Sequence, residues 1–376
     1  MARTKQAARS GRRPVARRSS YATAGVSAKK EESGLQKLVQ CLQETLTPRA
    51  NGLGAVKLPF GYFANVIDVG GLGVAISTDG VGSKVLIAQM MDRYDTVGID
   101  CIAMNVNDVL CVGAEPLTMV DYIAVQESNP RLLAELAKGL QAGALTARIT
   151  IPGGEIAQLR DVIKGARAGY GFDLAGTAMG TVPLDRILVG QSIEPDDVIL
   201  GLRSSGVHSN GITLARRLFK RHRPTTRFSD LGRSLGEELL TPTRIYVREV
   251  VDILKATIDV KALMHITSDG FLNLLRVASS TGYVLHSLPE PQPIFAIIQR
   301  EANVSTEEMY RVFNMGIGFC LVVSHRGDHV TRAKEILKRH DVEGYEIGRT
   351  VTDPERAVVI EPANLVGTDG RFRPRR

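Results

Sequence analysis

Ser77-Thr78-Asp79-Gly80-Val81-Gly82-Ser83-Lys84 places a carboxylate, two glycines, three hydroxyls and a lysine in eight consecutive residues. Val74-Ala75-Ile76 before it reads as the end of a buried strand, and residues 83–94 after it as a helix with apolar residues on one side. A strand that breaks at glycines and feeds a helix exposes backbone N–H groups to an anion. Asp79 adds a hard oxygen ligand for Mg²⁺ and Lys84 a point charge for a polyphosphate. The spacing is not that of a Walker A loop. On these eight residues alone, a nucleotide site and a tight structural turn both stay open.

The pattern continues outward from this stretch as strands alternating with helices. Residues 34–46 and 95–112 read as helices, 117–125 as a strand, 130–147 as a helix, and 148–151 and 172–182 as strands, before a boundary at 183–195. The second half repeats the mixture, with strands at 198–202, 263–267 and 319–324 and helices at 212–221, 243–255, 270–279, 306–313 and 328–339. The fold class expected is α+β or mixed α/β in two domains, without short repeats. The domains are placed at 21–185 and 190–351, between a basic arm at 1–20 and a tail at 352–376.

Within the 95–112 helix, Asn105 and Asp108 are spaced i, i+3 and share a face, while Asp95 sits at the helix end. Asp108 interrupts an apolar run, where a carboxylate needs a metal, a donor or a proton; Asp95 also reads as an N-cap. Gly153-Gly154-Glu155 is taken as a strand end at which small residues let a ligand approach the backbone, or as an ordinary turn. In Ser204-Ser205-Gly206-Val207-His208-Ser209-Asn210-Gly211, Ser209 and Asn210 open a helix beside an anion nest. His208 in that loop is assigned to substrate phosphate contact or acid–base assistance.

The 376 residues are 44% hydrophobic and 23% charged, enough to bury substantial cores. The formal net charge of +7 is misleading. Seven of the 47 Lys and Arg fall among the first twenty residues with no acid, and four more among the last eight, so the body is slightly acidic. That excludes a nucleic-acid surface on the folded body. No apolar run approaches the ~20 residues of a membrane span. Four scattered cysteines without a C-x-x-C pair suit a reducing, cytoplasmic setting and argue against structural zinc. The arm at 1–20 is read as disordered, with an Arg-rich, acid-free composition that also passes a loose test for a transit peptide.

Taken in order, these motifs resemble the AIR synthase family, and within it the phosphoribosylformylglycinamidine cyclo-ligases. They are Tyr21-Ala22-Thr23-Ala24-Gly25-Val26, the 77–84 stretch, Asn105-Val106-Asn107-Asp108, Gly153-Gly154-Glu155, the 204–211 loop, Pro242-Thr243-Arg244-Ile245-Tyr246, His265-Ile266-Thr267 and Phe313-Asn314-Met315-Gly316-Ile317-Gly318. The resemblance runs to about residue 351. It implies ATP-dependent ring closure of formylglycinamidine ribonucleotide in purine synthesis, with Mg²⁺, and a homodimer whose N-terminal halves close a β-barrel. It also implies site residues: Asp79, Asp95 and Asp108 as metal ligands, and Asp79, Lys84, Asp108 and His208 in catalysis. Gly80, Gly82, Ser83, Lys84, Asn105, Gly153, Gly154, Glu155, Ser209 and Asn210 are placed around nucleotide and substrate. Asp100 and Asp121 are weaker candidates. Two departures bear on substrate: Ile156-Ala157-Gln158-Leu159-Arg160 replaces the usual Thr-Ala-Glu-Met-Pro, and Ser268-Asp269-Gly270 replaces three glycines. Another ATP-dependent enzyme of the superfamily, or a non-catalytic nucleotide-binding relative, is the alternative.

Overall fold

The computed structural model describes residues 28–375. The basic arm at 1–20 and the Tyr21–Val26 motif therefore lie outside the described residues. The first half comprises α1 (Ala28–Gln43), β1 (Asn65–Val69), β2 (Leu72–Gly80), α2 (Lys84–Met91), α3 (Val97–Leu110), β3 (Glu115–Val125), α4 (Pro130–Ala147), β4 (Gly154–Gln158) and β5 (Phe172–Pro183). Its five strands form one sheet in the order β1-β2-β5-β3-β4. The strands pair antiparallel except for β3 and β4, which are parallel and joined by the α4 crossover. Asn129 caps α4 by accepting from Leu132 N–H, Pro130 opens it, and a left-handed Arg148 ends it.

Helix α3 is buried on nearly every side, which accounts for its continuous apolar run. One side lies on the sheet. A second meets α4 at Gly98 and Gly139, where a Cβ on either would overlap the other helix's backbone. The third side faces the second half of the chain. The opposite face of the sheet carries half-exposed Val120, Tyr122 and Met179. The sheet is open, with β1 and β4 at its edges, so the described residues of the single chain form no closed barrel.

The second half comprises β6 (Val198–Arg203), α5 (Ile212–Ala215), α6 (Leu235–Leu239), α7 (Val247–Lys255), β7 (Val260–His265), β8 (Thr281–Leu285), α8 (Pro293–Glu301), α9 (Thr306–Val312), β9 (Ile317–Val323), α10 (His329–Arg339), β10 (Gly344–Thr352), β11 (Val358–Ile360), β12 (Leu365–Thr368) and β13 (Arg371–Pro374). Its sheet has the order β13-β12-β11-β8-β10-β6-β9-β7. The two halves share one continuous hydrophobic core.

Several expectations are corrected here. Residues 148–151 are not a strand; only Thr150 bridges to Thr118, and the strand begins at Gly154, so the glycine pair opens β4 rather than ending a strand. Residues 212–221 break into α5 and a 3₁₀ turn at Arg216–Lys220. The expected 243–255 helix starts only at Val247, because the backbone before it is hydrogen-bonded across to α3 instead. The described part of the expected tail, residues 352–375, joins the second sheet: β11 runs parallel to β8, and β12 and β13 extend the sheet through antiparallel pairs. No described helix is long and apolar enough to cross a membrane.

Candidate active site

Asp79 lies at the end of β2 directly opposite Gly176 on β5; Gly176 is opposite Asp121 on β3, and Asp121 opposite Gly154 on β4. Residues directly opposite share a sheet face, so the row alternates carboxylate, glycine, carboxylate, glycine beneath α3. A side chain at either glycine would crowd the row. A Cβ on Gly154 would sit 2.5 Å from Asp121 Oδ1, and one on Gly176 would sit 3.3 Å from Asn105 Nδ2 and 2.7 Å from Met119 Sδ.

Burial pushes the Asp79 carboxyl up, and the Asp108 charge adds to the shift against the Gly80 N–H bond and His265. Burial likewise raises Asp121. Asn105 Nδ2 donates to Asp79 O at 3.1 Å and Cys101 O at 2.8 Å, while its Oδ1 is buried without a partner. Two desolvated carboxylates and an unspent amide oxygen are what a hard cation would satisfy. Among the described residues no three His, Cys, Asp or Glu side chains converge as a cage. This donor set suits Mg²⁺, which is commonly held by one or two carboxylates together with substrate phosphates.

Asp108 Oδ1 is 2.8 Å from His265 Nδ1, joining the last turn of α3 to the last residue of β7. Motif reading marked His265 as family-like without giving it a role; its partner became visible only through the contact between the halves. Asp95 is not brought to this cluster. It precedes α3, pairs with Arg93 Nε at 2.9 Å, and is 42% exposed. Thirteen residues at 1.5 Å per residue separate it from Asp108 by about 20 Å, so the two cannot share one cation.

Lys84 does not reach outward to a phosphate. Its side chain is 0% exposed, pairs with Asp100 Oδ1 at 2.9 Å and donates to Thr241 O at 2.6 Å. Burial lowers its pKa, opposed by Asp100. The residues around it stay near the surface of the turn: Gly82 holds φ 66, and Ser83 Oγ is 3.0 Å from Thr213 Oγ1. Gly80 N–H donates to Asp79 Oδ1 at 2.7 Å.

His208 is also placed away from a charged role. Its Nε2 accepts from Ser205 N–H at 3.2 Å and Arg244 N–H at 3.5 Å, which keeps the ring neutral, and burial, then His265, Lys84 and Arg244, drive its pKa well down. A buried neutral ring lacks the charge that a phosphate contact would use. Ser209 Oγ is spent on Asp100 at 3.1 Å, and Asn210 Nδ2 is 3.8 Å from Met104 Sδ.

Gly153 and Gly154 rim a cavity of about 650 Å³ between α4 and strands β3 and β4, with Asp121 at its polar edge and Leu133, Leu140 and Ile151 in its walls. Glu155 lies on the exposed side of β4. Of the departures, Ile156 lines this cavity, Gln158 accepts from Ser128 Oγ at 2.8 Å, and Asp269 pairs with Arg276 at 3.4 Å.

The model of the AIR synthase related protein N-terminal domain matches residues 62–182, and that of the C-terminal domain residues 194–361. A phosphoribosylformylglycinamidine cyclo-ligase of Methanothermobacter thermautotrophicus is 48% identical over 320 residues, 84% of this chain and 90% of the relative. One from Methanosarcina barkeri is 46% identical over 309 residues, 81% and 89% of the two chains. Among solved structures, AaThiL complexed with AMPPCP and TMP superposes with a TM-score of 0.59 at 15% identity, over 86% of this chain and 92% of that one. The thiamine-monophosphate kinase of Stenotrophomonas maltophilia gives 0.58 at 18%, over 85% and 95%. At these identities the structural likeness shows the fold alone, whereas the sequence matches are close enough to assign kinship. The chain belongs to the AIR synthase family, on its phosphoribosylformylglycinamidine cyclo-ligase branch.

Proposed function

We infer that this chain is a ligase of purine biosynthesis that closes formylglycinamidine ribonucleotide to aminoimidazole ribonucleotide with ATP, releasing ADP and phosphate. The observation that carries this is 48% identity to a named cyclo-ligase across 90% of that relative's length. The formyl amide oxygen attacks the γ-phosphorus and ADP leaves. The amidine nitrogen then attacks the activated carbon, phosphate departs with that oxygen, and the nitrogen gives up a proton. Such a reaction asks the protein for positioning and charge neutralisation rather than a nucleophile.

Asp79, Asp121 and the free Asn105 Oδ1 are the residues that would hold Mg²⁺, which supplies charge neutralisation for the phosphates when bound. Asp108, bonded to His265, is the acid–base couple adjoining Asp79. The apolar cavity edged by Asp121 suits the nucleoside end of ATP. AaThiL is complexed with AMPPCP, and T. maritima PurL, which shares this fold with a TM-score of 0.51, is complexed with ADP; both support an adenine nucleotide here. Half-exposed Val120, Tyr122 and Met179 on one sheet face support a homodimer that buries them. A purine enzyme of this kind fits the cytoplasm.

The test is a coupled assay with purified protein, Mg-ATP and formylglycinamidine ribonucleotide, following ADP and the aminoimidazole together. Equal appearance of both is expected. ATP binding without product would instead mark a non-catalytic relative.

A further inference from the structure

Besides the His265–Asp108 bond, the second half of the chain meets α3 through residues 241–246, a short segment that lies between α3 and the 204–211 loop. On the α3 side, Asp100 Oδ1 accepts from Thr243 N–H at 2.7 Å, Thr243 Oγ1 at 2.6 Å, Lys84 Nζ at 2.9 Å and Ser209 Oγ at 3.1 Å. Lys84 Nζ donates in turn to Thr241 O at 2.6 Å. One heptad further along the same helix face, Asn107 donates to Arg244 O at 2.9 Å and accepts from Tyr246 N–H at 3.0 Å. On the other side, Ser205 Oγ donates to Pro242 O at 2.5 Å, and His208 Nε2 accepts from both Ser205 and Arg244. The segment is thus hydrogen-bonded to both halves, and Lys84 and Asp100 are completely buried where it crosses.

We propose that Lys84 and Asp100 are positioning residues. Their buried ion pair latches residues 241–246 onto α3 and so holds the 204–211 loop in register with Asn105 and Asp108. The charge of Lys84 serves this latch and not the nucleotide. A buried pair of this kind has a characteristic response: removing one partner strands a buried charge, whereas neutralising both together is far better tolerated. The latch rests on the proposed function only for its turnover readout.

Lys84→Met, Asp100→Asn and the double variant are compared with wild type in steady-state turnover and in Mg-ATP affinity by calorimetry. Under the latch, Lys84→Met lowers kcat at least about tenfold and raises KM for the ribonucleotide, while Mg-ATP affinity stays within about threefold. The double variant recovers most of the lost kcat. If Lys84 touches phosphate, Mg-ATP binding weakens in Lys84→Met and the double variant shows no recovery; either result overturns the latch. Should Lys84→Met not fold, Thr243→Val removes a single donor to Asp100, and a fall in kcat without a change in Mg-ATP affinity is expected. A weakened Mg-ATP affinity or an unchanged kcat in Thr243→Val overturns the proposal. A wild-type chain that makes no aminoimidazole ribonucleotide overturns the proposed function instead, and the Mg-ATP affinities of the variants still decide the latch.

Discussion

Asp79, a proposed metal ligand, is a residue whose burial costs stability. Its carboxyl is raised by burial and by Asp108, so the protonated form is favoured in the folded chain. The stabilising contribution of that proton is present at low pH and lost as pH rises through the raised folded value, which leaves a strained carboxylate at neutral pH. Asp79→Asn removes that charge. Turnover is expected to fall at least about a hundredfold, while the melting temperature of the nucleotide-free protein stays level or rises. The stabilisation that wild type gains from Mg-ATP should shrink with it, and differential scanning with and without Mg-ATP checks both.

His208 runs in the opposite direction. Its folded pKa lies well below the ordinary 6.5, so the unfolded chain binds the extra proton and stability is lost as pH falls below about that value. Because His208 holds φ 65, asparagine is the replacement that tolerates the backbone. In His208→Asn the loss of denaturant stability between pH 7.5 and 5.5 should be smaller than in wild type. An equal loss would show that the acid sensitivity lies elsewhere.

At the scale of elements, α3 organises the molecule because three surfaces press on it at once. Its approach to α4 depends on missing side chains at Gly98 and Gly139, where a methyl group would meet backbone rather than a movable side chain. Gly139→Ala is therefore expected to cost about 2–3 kcal/mol of unfolding free energy despite the better helix propensity of alanine. Since α3 carries Asn105, Asp108 and Asp100, one partner of the latch, kcat should fall in the folded variant as well; urea titration and turnover measure the two effects separately. Helix 130–147 was legible to the residue, because Asn129, Pro130 and the apolar period are all local signals. The expected helix at 243–255 began four residues late, because Asp100 and Asn107 compete for that backbone and neither is close in sequence.

For the whole molecule, the half-exposed face of the five-stranded sheet is the feature a second copy would cover. Val120→Lys with Met179→Lys places two charges on that face without touching the core. If a homodimer forms there, the pair should shift the mass measured by light scattering from two chains toward one. An unchanged dimer mass would locate the interface elsewhere.

The order of motifs alone determined the family, the mixed α/β character and the candidate acids Asp79 and Asp108, because these depend on side-chain type and on periods within a dozen residues. Tertiary structure decided which candidates meet. It set Asp121 in line with Asp79 across Gly176 and joined Asp108 to His265. It left Asp95 at the far end of α3 and turned Lys84 inward to Asp100. It also took residues 352–375 into the second sheet. Each of these is a contact between residues distant in the chain, and desolvation of a charge depends on what packs over it. Neither is written in local spacing.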